Sequence, residues 1–335
     1  MDKDRADIAR LALGYQISQV LFAALNLRLF SLLEETAGDL ASIAQRSGAD
    51  GPSLRRLLRV LLDLKLLVQR GDVYYNAECA SSYLVEGRKG YWGNTIHHAG
   101  NLWRFWEGLD QHILSGKGKA PGPAHLQDYP HRLRDYLAAM DEGAQVKADA
   151  IAAAIGIHSF RHMLDMGCGP GTYALAFADM HPELLVTLLD LKPSLDFLRE
   201  RLSDSGSRQR ITCRVCEVTA DPIPGDGYDL VFISHLIHLY AARDVDLIVK
   251  KAWNALACKG ELVIHDYLLE AGGEHPLYAS LFDLTMLVGT PCGKCYSAGE
   301  LMEMLRPLHP AGLRHIPLDL GTSLIVARKG ETGPG

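Results

Sequence analysis

The sequence predicts an α/β protein: a parallel sheet covered on both faces by helices, preceded by a mainly helical unit on the winged-helix plan. Three observations predict it. Past His158, strand-length apolar runs alternate with amphipathic helical stretches, the pattern of parallel strands joined by crossover helices. Before residue 85, two helical stretches separated by a turn are closed by a short hairpin. The segment HMLDMGCGPGTYALAFA then sets three glycines between a strand and an alanine-rich helix.

Leu21, Leu25, Leu29 and Leu32 recur at helical spacing after Tyr15 and predict a long apolar stripe. A helix over 40–46, a Gly/Asp/Pro turn and a helix over 53–64 follow, and 66–75 reads as two strands turning at Gly71. An aromatic-rich helical stretch spans 91–106, then the loop GKGKAPGPAH, then a helix through Tyr136, Met140 and Ile151. Strands are predicted over 162–166, 185–190, 211–215, 229–234, 261–266, 313–318 and 323–328, with helices at 193–202 and 245–256 among them. The expected division is a winged-helix unit over 1–88, a helical linker over 89–157 and a ligand-binding sheet domain over 158–330.

Composition excludes several function classes. Of 335 residues, 48% are hydrophobic and 22% charged, which suits a chain that buries a sizeable core and not a disordered one. The formal charge of −6 argues against nonspecific binding to nucleic acid or to an anionic membrane. No continuous apolar run approaches the ~18–20 residues of a membrane span, and the opening MDKDRADIAR is charged where a signal peptide would be apolar. Seven cysteines, an odd number, suggest reduced thiols and a cytoplasmic location. The stretch 15–33 carries more apolar surface than a small unit can bury, which predicts a homodimer through the N-terminal unit.

The glycine loop is the most informative segment. Glycines serve where a backbone turns tightly and lets a ligand approach closely. Gly167, Gly169 and Gly171 follow a strand ending in Asp165 and Met166, and their G-x-G-x-G spacing favours an adenosyl ligand without pyrophosphate. Asp190 ends the next strand, 19 positions after Gly171, where a carboxylate accepts ribose hydroxyls.

These motifs, together with LRRLLRVLLDLKLLV, ISHLIHLY, KGELVIHDY and LFDLTMLV, resemble the S-adenosylmethionine-dependent small-molecule O-methyltransferases with an N-terminal winged-helix dimerisation domain. The likeness runs from Tyr15 to Lys329. It implies a Rossmann-like class I methyltransferase sheet and S-adenosylmethionine as cofactor. The implied cofactor-binding set is Asp165, Gly167, Gly169, Gly171, Asp190, Leu191, Glu217, Val218 and Ser234. Trp103, Trp106, Met140, His235 and Met286 are implied near a small-molecule acceptor, although Trp and Met are also ordinary core residues.

His238 follows the strand DLVFIS, at the spacing where the family carries its catalytic histidine. Independently, it lies outside the carboxyl end of a strand, and an imidazole with a pKa near 6.5 is a suitable acceptor for a phenol proton. Asp266 ends the next strand and is placed to orient that imidazole. His235 is a second candidate, as a helical i, i+3 partner of His238. The family pattern is broken at Leu239, Cys295 and Ser234, where it has two acidic residues and a lysine. Two C-x-x-C pairs, Cys213/Cys216 and Cys292/Cys295, have the residue type for zinc. Cys213 and Cys216 lie on or at the end of a strand, where odd separation sends them to opposite faces, so no metal is expected.

Three function classes fit. One is a methyltransferase acting on an aromatic or polyketide-like hydroxyl, with carbon and nitrogen acceptors as alternatives. The second is a SAM-binding protein without catalysis. The third is a winged-helix regulator using Arg55, Arg56 and Arg59, but the leucine density of that helix suits burial better than a DNA groove.

Overall fold

The computed structural model describes residues 4–118, 130–202, 206–269, 277–318 and 321–331. The chain divides into two units, Met1–Trp103 and Arg104–Gly335.

In the first unit, helix Arg5–Asn26 is followed by helix Leu29–Glu35. The continuous stripe expected over 21–32 is broken, because Arg28 takes a left-handed conformation (φ 53°) between the two helices. The break folds Leu25, Leu29, Phe30 and Leu33 into a core with Ile43, Leu54, Leu58 and Leu61. Helices Leu40–Ser47 and Gly51–Asp63 start where Asp39 and Asp50 accept the amide N–H of Ser42 and Ser53, at 2.8 and 2.9 Å. Strands β1 (Leu67–Arg70) and β2 (Val73–Asn76) pair antiparallel around Gly71, completing the winged-helix plan. Ile8, Leu11, Leu13, Tyr15 and Ile17 are each at least half exposed, so the unpartnered apolar surface starts earlier in the chain than the stripe suggested. Helix Arg5–Asn26 is long and apolar enough, by length and composition alone, to cross a membrane, though Gln16, Ser18 and Gln19 interrupt it.

The second unit is built on seven strands: β3 (His162–Met166), β4 (Leu185–Asp190), β5 (Ile211–Val215), β6 (Tyr228–Ser234), β7 (Leu256–Asp266), β8 (Gly312–Pro317) and β9 (Ser323–Arg328). Their order is β5-β4-β3-β6-β7-β9-β8. The first five are parallel, but β9 runs antiparallel to both β7 and β8, so the sheet is mixed and not wholly parallel as expected. The chain passes from β7 to β8 through two helices and returns directly through a short connection, and a short return makes an antiparallel pair. β7 also begins at Leu256, five residues before the predicted start, where helix Ala242–Ala255 ends.

Alternate residues of the strands point to opposite faces. Met163, Leu188 and Phe232 pack with helices Ala148–Ile155, Thr172–Met180 and Lys192–Leu202. Leu164, Leu189 and Ile233 pack with helices Ala242–Ala255 and Ala298–Leu305 on the other face. Cys213 lies against the first core and Cys216 in the second, as their odd separation requires. The chain moves outward from β3 to β5 and then returns to β6 beside β3, which opens a crevice at the carboxyl ends of β3 and β6. In the loop GKGKAPGPAH, residues from Lys119 onward lie outside the described residues.

Candidate active site

At the end of β3, Gly167, Gly169 and Gly171 take φ values of 75°, 52° and 73°. Side chains rarely adopt that left-handed region. A Cβ on Gly167 would lie 2.7 Å from Leu236 Cδ1, and one on Gly171 would lie 2.5 Å from Leu198 Cδ1. Gly169 has open space at the same point, leaving one side of the loop clear. Gly167→Ala is therefore expected to cost about 1–3 kcal/mol of stability through strain and crowding, measured by chemical denaturation. A stability equal to wild type would contradict the steric reading.

Asp190 joins this loop to the end of β4. Its Oδ2 accepts the Gly169 N–H and its Oδ1 the Leu191 N–H, both at 2.7 Å. Ser194 adds a side-chain hydrogen bond, so of the roughly four lone-pair sites on a carboxylate about one is left for an outside donor. A carboxylate with acceptor capacity left, beside a glycine loop open at Gly169, fits the ribose of an adenosyl cofactor. Burial holds the Asp190 carboxyl above its usual range, while the hydrogen bonds it accepts pull the other way. Asp165 is buried and pushed up to about 8 by burial and by the charge of Asp190. Val218 is buried, and Glu217 turns back to accept the Thr219 N–H and hydroxyl. Lys251 pins this segment through the carbonyls of Val218, Thr219 and Asp221.

The expected pair of catalytic residues meets directly. His238 Nδ1 lies 2.7 Å from Asp266 Oδ1, with both side chains buried. Burial alone would raise the Asp266 carboxyl, but His238 and His235 outweigh it and hold it well below the usual range. An ionised Asp266 accepts, so His238 Nδ1 carries the proton and Nε2 is left as the acceptor. The Tyr267 N–H also donates to Asp266 Oδ1 at 2.8 Å, whereas Oδ2 is buried without a partner among the described residues. Phe282 presents its ring edge-on to His238 at 5.0 Å, and Tyr267 packs on Phe282 at 4.6 Å.

His235 reaches the same carboxylate, with Nδ1 3.4 Å from Asp266 Oδ1. The helical i, i+3 argument does not hold, because His235 is left-handed (φ 51°) and His238 lies in the 3-10 turn Ile237–Leu239. The turn after β6 brings the two rings to 6.0 Å instead. Ser234 serves its own neighbour, with its hydroxyl 2.8 Å from His265 Nδ1.

At the positions that depart from the family pattern, Leu239 belongs to the 3-10 turn and Cys295 is buried, its amide N–H donated to Asp283 at 2.7 Å. The turn between Cys292 and Cys295 packs on the loop after β6: Lys294 N–H donates to His238 O at 3.0 Å, and a Cβ on Gly293 would lie 2.4 Å from that oxygen. Met286 is buried in helix Leu277–Gly289 and Met140 is half-buried in helix Pro130–Gln145. Asp141, beside Met140, pairs with Arg201 at 2.7 Å, and Arg201 donates to Pro170 O at 3.0 Å, tying that helix to the glycine loop. Trp106 is half-buried in the second unit, whereas Trp103 belongs to the first, 6.2 Å from Tyr15.

Sequence reading missed Lys147 and Tyr267. The helix expected through Tyr136 and Ile151 is two helices, Pro130–Gln145 and Ala148–Ile155, with Lys147 buried at the break. Its amine donates to the Tyr267 hydroxyl at 3.0 Å and lies 3.5 Å from His235 Nε2. A lone lysine before the apolar run AIAAAI was the available signal.

An O-methyltransferase domain model matches residues 116–312, and an O-methyltransferase dimerisation domain model matches residues 9–86. The 3-hydroxy-5-methyl-1-naphthoate 3-O-methyltransferase of Streptomyces sahachiroi is 27% identical over 88% of this chain and 86% of its own. The acetylserotonin O-methyltransferase of Bos taurus is 27% identical over 90% of both chains. The solved structure described as PigF with SAH superimposes with a TM-score of 0.90 at 24% identity, covering 98% of this chain and 100% of that one. With the first domain model covering more than half of the chain, on the fold and glycine crevice described above, the protein belongs to the S-adenosylmethionine-dependent O-methyltransferases that carry an N-terminal dimerisation domain.

Proposed function

We propose that this enzyme methylates a hydroxyl of a small aromatic or polyketide-like acceptor, with His238 as the general base. The observation that carries the reading is the 2.7 Å contact between His238 Nδ1 and a buried, ionised Asp266, which leaves Nε2 free to accept. The cofactor supplies an electrophilic methyl group when bound. Asp190 and the glycine loop hold its adenosyl portion, with Asp165, Leu191, Glu217, Val218 and Ser234 around it. His238 takes the acceptor hydroxyl proton as the oxygen becomes nucleophilic, and Asp266 stabilises the imidazolium that results. Phe282 and Tyr267 offer aromatic surface near the base, which suits a flat acceptor, and Met286 lies one helical turn on from Phe282. The hydroxyl acceptors named for the Streptomyces and Bos taurus relatives support this class. Incubating the protein with labelled cofactor and a panel of phenols, naphthols and polyketide aromatics should give an O-methyl ether. Methylation at carbon or nitrogen only would overturn the assignment.

The exposed apolar residues between Ile8 and Ile17 form the proposed homodimer surface, consistent with the dimerisation-domain match over 9–86. Light scattering at micromolar concentration should return twice the chain mass of 36.8 kDa. A monomer mass would contradict it. We place the enzyme in the cytoplasm, where its seven cysteines, all unpaired in the structure, stay reduced.

A further inference from the structure

Two imidazoles share one oxygen of Asp266, and only one of them is needed as a base. His238 Nδ1 and His235 Nδ1 lie 2.7 and 3.4 Å from Oδ1. If His235 took up a proton, it would pair with Asp266 and withdraw the carboxylate from His238. Something must keep His235 neutral, and the group on its far side is Lys147.

Lys147 sits at the break between helices Pro130–Gln145 and Ala148–Ile155, with its side chain buried. The ammonium has donors only. It gives one hydrogen bond to the Tyr267 hydroxyl at 3.0 Å, lies 4.7 Å from the Tyr267 ring centroid, and faces His235 Nε2 at 3.5 Å. A donor on Nε2 requires that nitrogen to be an acceptor, which puts the single ring proton of His235 on Nδ1, toward Asp266. The titratable groups facing Lys147 are His235 from the turn after β6, and His265, Asp266 and Tyr267 from the end of β7. Asp266 is the one anion among them.

We propose that Lys147 is a positioning residue for proton transfer: its amine holds His235 neutral as a donor to Asp266, so that the proton leaving the acceptor stays on His238. In that step the acceptor O–H bond breaks, its electron pair stays on oxygen, and the proton forms the N–H bond at His238 Nε2. The buried charges then alternate, with the Lys147 cation and the His238 imidazolium on either side of the Asp266 anion. Burial, with the Lys147 charge, also holds His235 down at about 4, against the pull of Asp266. Burial lowers Lys147 itself to about 8, while Asp266 pulls it up.

The proposal rests on His238 as the base, and its test separates the two. The pH profile of kcat/KM is measured for wild type, Lys147→Met, Lys147→Arg and His238→Ala with one accepted substrate. A nearby cation disfavours imidazolium, so removing it lets His235 take up a proton at higher pH and draw Asp266 away from the base. The acid limb of Lys147→Met should therefore move to higher pH by about one unit, while Lys147→Arg keeps it in place. The KM for the cofactor should stay the same in both variants. A Lys147→Met limb that superimposes on wild type, while His238→Ala has lost activity, overturns the role of Lys147. Wild-type turnover in His238→Ala overturns the base assignment, and this proposal with it. A measurement needing no substitution is 15N NMR of histidine-labelled wild-type enzyme bound to S-adenosylhomocysteine. His235 should remain a neutral Nδ1–H tautomer at pH 6, and a protonated His235 there would overturn the proposal.

Discussion

His238→Ala is expected to lower turnover by about 10²–10⁴-fold, the usual contribution of a positioned proton acceptor, without changing cofactor affinity. The split follows from position. His238 lies in the turn after β6 with its Nδ1 on Asp266, whereas the cofactor contacts proposed above centre on the glycine loop and Asp190. Much of the remaining acceleration should come from holding the acceptor in line with the carbon–sulfur bond, which the substitution leaves in place. Asp266→Asn should cost less where it only perturbs the tautomer. It would also leave the amide facing two ring nitrogens, each of which carries its proton toward that site. Initial rates over pH 6–9 with a phenolic acceptor, together with calorimetric cofactor titration, check both variants. Wild-type turnover in His238→Ala across that range would leave proximity alone to run the reaction and would move attention to His235.

Asp190→Ala should weaken S-adenosylmethionine binding by about 100-fold or more. A hydrogen bond to a charged group contributes about 1.5–3 kcal/mol, and the ribose loses its acceptor. The loss is compounded because the same carboxylate anchors the Gly169 and Leu191 amides, so the loop slackens as the ribose contact goes. Asp190→Asn should fall between, since its carbonyl oxygen can still accept but its NH₂ faces an amide N–H. Calorimetry gives the dissociation constants, and a thermal melt separates a weakened site from an unfolded one. An unchanged dissociation constant in folded Asp190→Ala would remove this residue from the site.

The N-terminal helix shows where local reading stops. Leu21, Leu25, Leu29 and Leu32 do lie at helical spacing, yet Arg28 breaks the helix between them. Periodicity registers which residues want burial but not the bend that lets them reach one core. The second unit shows the same limit at its far edge. Runs 313–318 and 323–328 were legible as strands, while their antiparallel direction depends on the short connection between them.

The alternation of strands and helices, the glycine loop with its acidic residue one strand later, and the positions of His238 and Asp266 at the ends of successive strands are legible from the residues alone. These are local: pleat, helical period and glycine conformation act within a few residues, and parallel strands bring successive carboxyl ends to one edge. Long-range packing is what makes His235 and His238 share one oxygen of Asp266, sets Lys147 behind His235 from 88 residues away, and braces the His238 carbonyl with the turn between Cys292 and Cys295. No spacing rule reaches those contacts. They arise because desolvating an anion in a protein interior is costly unless donors converge on it, and those donors come from whichever segments the packed sheet brings there.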